Sequence, residues 1–403
     1  MIPKYVLYSF LLLQILTIPL TKIPFHPMVE IQAVLYTILG VYPLCVFLKN
    51  YKYLKDNCKF LTYVYVLVLI SCLIGLIKLY YVQSEGLLLF DIYKTYMALF
   101  SIAWIFIPII DNFALHQVVQ FCFKKVFIIW ILVLLPFYRI GFTASYLEIF
   151  LPFWLFFNIA STRVKVILVL YALCFILFPG QRSNLLLFIS VFIILLFKYI
   201  PLLKTKNAMR LMGWIFYFIP IICILLFIVK GFNVFDFSSY INGEEQYGQE
   251  NLFDDTRTGL YLESYNSIIN HGTWMFGESP SFGYDSIWRS QYYSITSSIQ
   301  RYCEVCVINI YVWYGLVGLL LFCYLFFLII KKAFNSQSPI IITLGLYISL
   351  FYMMCWVENC NCWVSVRFIF VYLFIGFILQ IKKTNMSNKE TEHYFKKMLN
   401  LNV

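Results

Sequence analysis

The sequence predicts an all-α polytopic membrane protein of about twelve transmembrane helices with one large loop on the outer side. Three observations predict it. Hydrophobic residue types make up 62% of the 403 residues and charged types only 12%, where a soluble domain carries roughly 25%. Apolar runs of roughly 20 residues, the length that crosses a hydrocarbon core of ~30 Å, recur along the chain. Basic residues collect in the short segments between alternate runs. This balance excludes a soluble enzyme, a secreted disulfide scaffold and a disordered chain. The formal charge of +11 does not point to nucleic acid, because the basic residues are dispersed among membrane loops. The 12 cysteines show no metal-ligand spacing: Cys360 and Cys362 are too close for a zinc hairpin, and most others lie within apolar runs.

The apolar segments fall at 5–22, 28–48, 61–80, 93–110, 124–138, 146–160, 164–178, 184–200, 211–229, 304–330, 339–357 and 364–381. The first resembles a signal-peptide core, but no small-residue cleavage site follows, so it is expected to stay as a membrane helix. The fifth to seventh are short. Pro179 closes the seventh, and Pro108, Pro136 and Pro152 end or bend theirs.

Orientation follows from the short loops. A cytoplasmic N-terminus puts Lys4, Lys49, Lys52, Lys55, Lys59, Lys124, Lys125, Arg163, Lys165, Lys204, Lys206, Arg210, Lys331 and Lys332 on the inner side. Lys382, Lys383, Lys389, Lys396 and Lys397 in the tail join them. With twelve spans both termini are cytoplasmic. The domains are then 1–230 (nine membrane helices), 231–303 (the outer loop), 304–381 (three more helices) and 382–403 (a polar, mildly basic cytoplasmic surface tail).

The outer loop is acidic. Asp236, Glu244, Glu245, Glu250, Asp254, Asp255, Glu263, Glu278 and Asp285 stand against Arg257, Arg289 and Arg301. Its stretch 258–269 predicts a helix, with Leu260, Tyr261, Tyr265 and Ile268 at mixed three and four spacing. His271, Gly272, Gly277, Pro280 and Gly283 predict turns after it. Aromatics reach 20%, which fits membrane interfaces and helix packing and does not by itself indicate a sugar-stacking platform; Trp274, Trp288, Tyr292 and Tyr293 are the loop aromatics to test for ligand contact.

Charges gather at the outer boundary. Arg182, in the turn Pro179-Gly180-Gln181-Arg182-Ser183-Asn184, stands where a helix begins and opposes its dipole. Gripping an anion together with free helix N–H groups explains it, and so does snorkelling to lipid headgroups. Arg257 follows Asp254 and Asp255, as a surface ion pair or as a second guanidinium on the same anion. Arg301 and Glu304 share a helical face, as a structural pair or as an acid–base site. Glu358 and Asn359 close the eleventh segment, and Arg367 begins the twelfth. A charge so close to hydrocarbon faces a cavity or a partner.

In layout, the chain resembles the bacterial O-antigen polymerase (Wzy) family, within the wider O-antigen polymerase and ligase group. Gly180-Gln181-Arg182-Ser183-Asn184-Leu185-Leu186 resembles that group's Arg-containing turn. Asp255-Thr256-Arg257 with Gly277-Glu278-Ser279-Pro280-Ser281-Phe282-Gly283 resembles its loop arginine and Gly-rich stretch. Asn309-Ile310-Tyr311 with Gly315-Leu316-Val317-Gly318 resembles the start of span ten. Ligases of the group usually carry a His just before that Asn; here the position is Ile308, which favours a polymerase.

The resemblance implies a GT-C-like glycosyltransferase bundle in the bacterial inner membrane, with its active site facing the periplasm and a role in lipopolysaccharide biosynthesis. Donor and acceptor would both be undecaprenyl-diphosphate-linked glycans, in contact with membrane lipids and a chain-length regulator protein, with no metal, cofactor or nucleic acid. Arg182 and Arg257 would stabilise the departing diphosphate, with Arg301 and Arg289 behind them. Glu304, Asp255, His271 and Glu358 are the candidate bases. Arg367 and Tyr292 complete the substrate contacts. A ligase to lipid A core, a lipid-linked oligosaccharide flippase and a purely structural membrane protein are the competing readings. The last leaves the arginines without a task.

Overall fold

In the computed structural model of the protein, the described residues are 5, 28–81, 96–97, 99–111, 113–126, 148–177, 189, 191–196, 200, 205–230, 257–286, 299–300, 303, 305–357, 369–380 and 385–400. They are mainly helical. The strands among them are a two-residue pair, β1 (Tyr284–Asp285) and β2 (Ile299–Gln300), antiparallel with Tyr284 opposite Gln300.

The helices are α1 (Met28–Lys49), α2 (Tyr51–Asn57), α3 (Lys59–Tyr81), α4 (Phe106–Ile110), α5 (Ala114–Phe121), α6 (Thr162–Leu177), α7 (Lys206–Lys230), α8 (Arg257–Asn270), α9 (Cys306–Phe334), α10 (Pro339–Met354), α11 (Ile369–Leu379) and α12 (Asn388–Met398). By length and composition, Lys59–Lys78, Lys206–Leu226 and Cys306–Phe334 can each cross a membrane. Ser101–Ile110 and Ala114–Lys125, bent by 118° at their break, make a fourth span if taken together. Twelve spans go beyond this count. Segments 6–22, 127–138 and most of 184–200 lie outside the described residues.

Two expected helices take a different form. The segment at 146–160 is a tight 3-10 winding, Glu148–Ile159, with Pro152 inside it. The segment at 93–110 ends as a 3-10 turn, Ser101–Ile105, that runs into α4, and the chain becomes extended at Asp111. Proline removes an N–H from the α-helical ladder, and both stretches contain one.

An apolar outward face is plain on α7. Leu211, Ile215, Phe218, Ile219, Ile222, Leu225 and Leu226 point out of the protein, while Gly213, Tyr217 and Pro220 point in. Water penalises such an apolar outward stripe and hydrocarbon accepts it. At the centre, every residue from 341 to 350 on α10 is buried. Pro339 opens α10, and the N–H that it lacks is one that a helix start leaves unpaired anyway.

The two ends of the bundle differ. At one end Lys206 Nζ donates to Gln337 O (2.6 Å), Arg210 to Ser336 O (3.2 Å) and Lys332 to Leu379 O (2.5 Å). Gln120 Nε2 reaches Lys397 O and Asn400 O there, and Ser161 N–H reaches Leu399 O. Basic segments far apart in sequence therefore share one boundary. The tail joins it as α12, whose start is a reciprocal cap: Glu390 N–H donates to Ser387 Oγ, and Ser387 N–H to Glu390 Oε2. The expectation of a surface segment holds for Lys389, Lys396 and Lys397. It fails for Thr391, Phe395 and Met398, which fall at i, i+4 and i+7 and are buried, with Phe395 stacked on Phe156 at 4.4 Å.

At the opposite end a second, smaller core joins Cys72 of α3, Tyr96, Leu99, Ile268 of α8, Tyr284 of β1, and Cys303, Val305, Ile308, Val312 and Trp313 around the start of α9. This core fixes the outer segment 257–286 against the bundle.

Candidate functional site

The site begins with a broken helix. Inside α9, Gly315 has φ 64° and ψ −163°, a backbone state that glycine adopts without a Cβ penalty. In an unbroken helix the N–H groups of Leu316 and Val317 would bind the carbonyls of Val312 and Trp313. Here Leu316 N–H donates to Trp274 O (2.9 Å) and Val317 N–H to Met275 O (3.2 Å). The carbonyls of Val312 and Trp313 accept from Glu278 N–H (2.7 Å) and Ser279 N–H (3.1 Å). The turn at 274–279 thus satisfies four backbone groups that the break releases, as buried backbone polar groups require.

The turn needs its own glycine. Gly277 has φ 76°, and a Cβ there would lie 2.4 Å from the Trp313 carbonyl carbon. A Cβ on Gly315 would lie 2.4 Å from the carbonyl group of Met275. The segments 277–283 and 315–318, quoted separately from the sequence, are therefore in direct backbone contact.

Three ionisable side chains brace the turn. His271 Nδ1 is 3.0 Å from Glu278 Oε1, and its Nε2 is 3.1 Å from Asp285 Oδ2. Thr273 Oγ1 also donates to Glu278 Oε1, at 2.8 Å. A carboxylate only accepts, so both His271 contacts are hydrogen bonds together only when both ring nitrogens carry protons. For His271 to take a proton from a substrate, one of these contacts must open. No group of three His, Cys, Asp or Glu among the described residues is arranged to hold a metal ion.

Further hydrogen bonds tie this brace to the bundle. Ser286 Oγ donates to Glu263 Oε2 (2.8 Å), and Asp285 N–H to Ser267 Oγ (3.0 Å), joining β1 to α8. Tyr261 OH donates to Trp356 O (2.5 Å), and the hydroxyls of Tyr96 and Ser281 are in contact. Asn309 is 1% exposed, and its amide spans the entry to α9: Oδ1 accepts from Cys303 N–H, and Nδ2 donates to the carbonyls of Cys303 and Val305. Ile308 beside it is buried in the second core.

Beneath the turn lies a cavity of about 400 Å³, within the size range of small-molecule sites. Its longest walls are α3 and α9; the stretch 99–106, Phe351 of α10 and Tyr372 and Ile375 of α11 complete them, with the turn residues Phe276, Gly277 and Ser279 at one end. The lining is hydrocarbon along most of its length. Leu67, Ile70 and Ile74 of α3 line it and are also exposed, so the cavity opens sideways, on an apolar outward face of the bundle. Lys78 lines its outer end.

The proposed arginine cluster cannot be placed on this frame. Arg182, Asp255, Arg289, Tyr292, Arg301, Glu304, Glu358 and Arg367 lie outside the described residues. Of Arg257 the backbone alone is described, as the first residue of α8. His271 follows the end of that helix. Sequence reasoning passed over Lys78, counted Asp285 only towards the charge of the loop, and met Glu278 only there and within the quoted Gly-rich stretch. The signal for Lys78 was present, as a single cation closing an apolar run that Lys59 opens. Compared with protein-family models, with curated proteins and with solved structures, the chain matches none.

Proposed function

We propose that this chain is a membrane glycosyltransferase of the O-antigen polymerase kind, which lengthens a glycan carried on undecaprenyl diphosphate. The cavity carries this reading. It is a hydrocarbon-lined space that runs along α3 from Leu61 to Lys78 and opens sideways, and a polar turn caps its end away from the basic loops. A lipid-borne substrate needs this pairing of an apolar berth with a polar ceiling.

In this reading the turn faces the periplasm, twelve spans cross the inner membrane, and both termini are cytoplasmic. A hydroxyl of the acceptor glycan attacks the anomeric carbon of the donor. The new bond joins that oxygen to that carbon, the bond from the carbon to the diphosphate oxygen breaks, and the hydroxyl proton passes to a base. The diphosphate leaves with its electron pair and needs charge stabilisation more than protonation. Arg182 and Arg257 are assigned that task, with Arg289 and Arg301 behind them. Glu304, Asp255 and Glu358 are the bases to test first, since the imidazole of His271 is engaged on both sides. Arg367 and Tyr292 are assigned to the sugars.

Deletion of the protein, read as polymer length on a gel, tests the reading. Single capped repeat units mark a polymerase; loss of all capping marks a ligase or a flippase and refutes it. Arg182→Ala and Arg257→Ala are each expected to abolish chain extension while leaving membrane insertion intact. Normal polymer length in both variants removes the arginine assignment.

A further inference from the structure

We propose that Lys78 is an anion-binding residue at the mouth of the α3–α9 cavity, and that the cavity holds the hydrocarbon tail of a polyprenyl diphosphate whose phosphates meet Lys78. The identity of the carrier lipid rests on the reading above; the groove and its cation rest on geometry.

The first observation is register. Leu61, Tyr65, Val68, Ser71, Ile74 and Lys78 all line the cavity, and they follow one another at steps of three or four along α3. Residues so spaced share one helical face. Lys78 therefore continues the cavity-facing stripe. Like Ile74 one turn before it, Lys78 both lines the cavity and is exposed at its opening.

The second observation is distance along the bundle. Lys59 and Lys78 bound a 20-residue apolar span, and at ~1.5 Å per residue they stand about one hydrocarbon thickness apart. Lys59 belongs to the basic end, beside Cys58 and α2. Lys78 is at the other end, less than one turn beyond Gly75, whose added Cβ would meet Tyr96, Ser279 and Ser281 of the outer layer.

The third is charge. Among residues whose side chains are described, Lys78 is the only Lys or Arg at the outer end, where Glu263, Glu278 and Asp285 also lie. None of the ion pairs among the described residues includes it. An ammonium at the end of an apolar groove complements an amphiphile with an anionic head and a long hydrocarbon tail. Its place in the last turn of α3 also favours a positive charge.

Full-length protein in nanodiscs of zwitterionic lipid tests this with a photoreactive undecaprenyl diphosphate as the probe. Lys78→Met should weaken binding about tenfold or more, the loss expected for a charge-assisted hydrogen bond. Lys78→Arg should restore it. Uncharged polyprenol should bind the native protein and Lys78→Met alike, and Ser71→Trp, which fills the groove, should abolish labelling of α3 and α9.

Unchanged diphosphate binding by Lys78→Met overturns the proposal. Equal displacement of the probe by phosphatidylglycerol also overturns it, since Lys78 would then be meeting bulk lipid. The two readings fail separately. Lysine-dependent binding in a protein that lengthens no glycan leaves the groove standing and removes the polymerase. Glycan lengthening with binding that ignores Lys78 does the reverse.

Discussion

Glycine shows how much one missing Cβ decides. Gly277 and Gly315 both have positive φ, and both would place a Cβ at 2.4 Å from a backbone atom of the opposite segment. Alanine at either position meets strain and a clash together, and neither can relax by rotating a side chain. Gly315→Ala and Gly277→Ala should each destabilise the protein by about 1–3 kcal/mol, read as a lower thermal midpoint in detergent. Gly259 is the control, because a Cβ there meets nothing within 4 Å and its residue is helical. Gly259→Ala should be neutral, or stabilise by roughly 0.5–1 kcal/mol. The three glycines are alike in the sequence. Their difference comes from what lies opposite, and that is set by residues distant along the chain.

Among the elements, α12 carries the clearest local code. Ser387 and Glu390 stand three apart and satisfy each other's backbone N–H, and Lys396 and Lys397 close the last turn. Ser387→Ala should lower stability by about 1 kcal/mol. The backbone hydrogen bond from Ser387 holds the carboxyl of Glu390 below its ordinary range. A lowered folded-state pKa means that the contribution is present above the unfolded value and is lost as pH falls through the folded one. Exchange protection of α12 amides should therefore fall on acidification, and less so in Glu390→Gln. The helix at 258–269 was legible in the sequence, and α8 (Arg257–Asn270) matches it; the tail was read only as a polar surface segment, without its cap. The break in α9 was not legible, because its apolar run continues past Gly315 without a change of composition.

For the whole molecule, the tail helix is part of the main core. Phe395, Met398 and Leu399 are all 0% exposed and belong to the same cluster as Trp104 and Tyr65. Removing residues 386–403 should cost several kcal/mol, at about 2–5 kcal/mol for each large side chain lost from a packed interior. A lower melting temperature of the truncated protein in detergent is the expected result, and an unchanged one would place the tail outside the core.

Composition and spacing determined the environment: apolar runs of membrane length, sparse charge, and basic residues gathered between alternate runs. These are local or additive quantities, so the chain displays them without folding. Of the arginines chosen from the sequence, Arg182, Arg289, Arg301 and Arg367 fall beyond the described residues and Arg257 is described by its backbone alone, and the site now rests on other groups. Only the tertiary structure decided that two distant glycines interlock, that His271 lies between two carboxylates, and that Lys78 lines a cavity. Each of these depends on which surfaces meet, and a uniformly apolar helix carries no periodic mark of the face it will turn towards its neighbour.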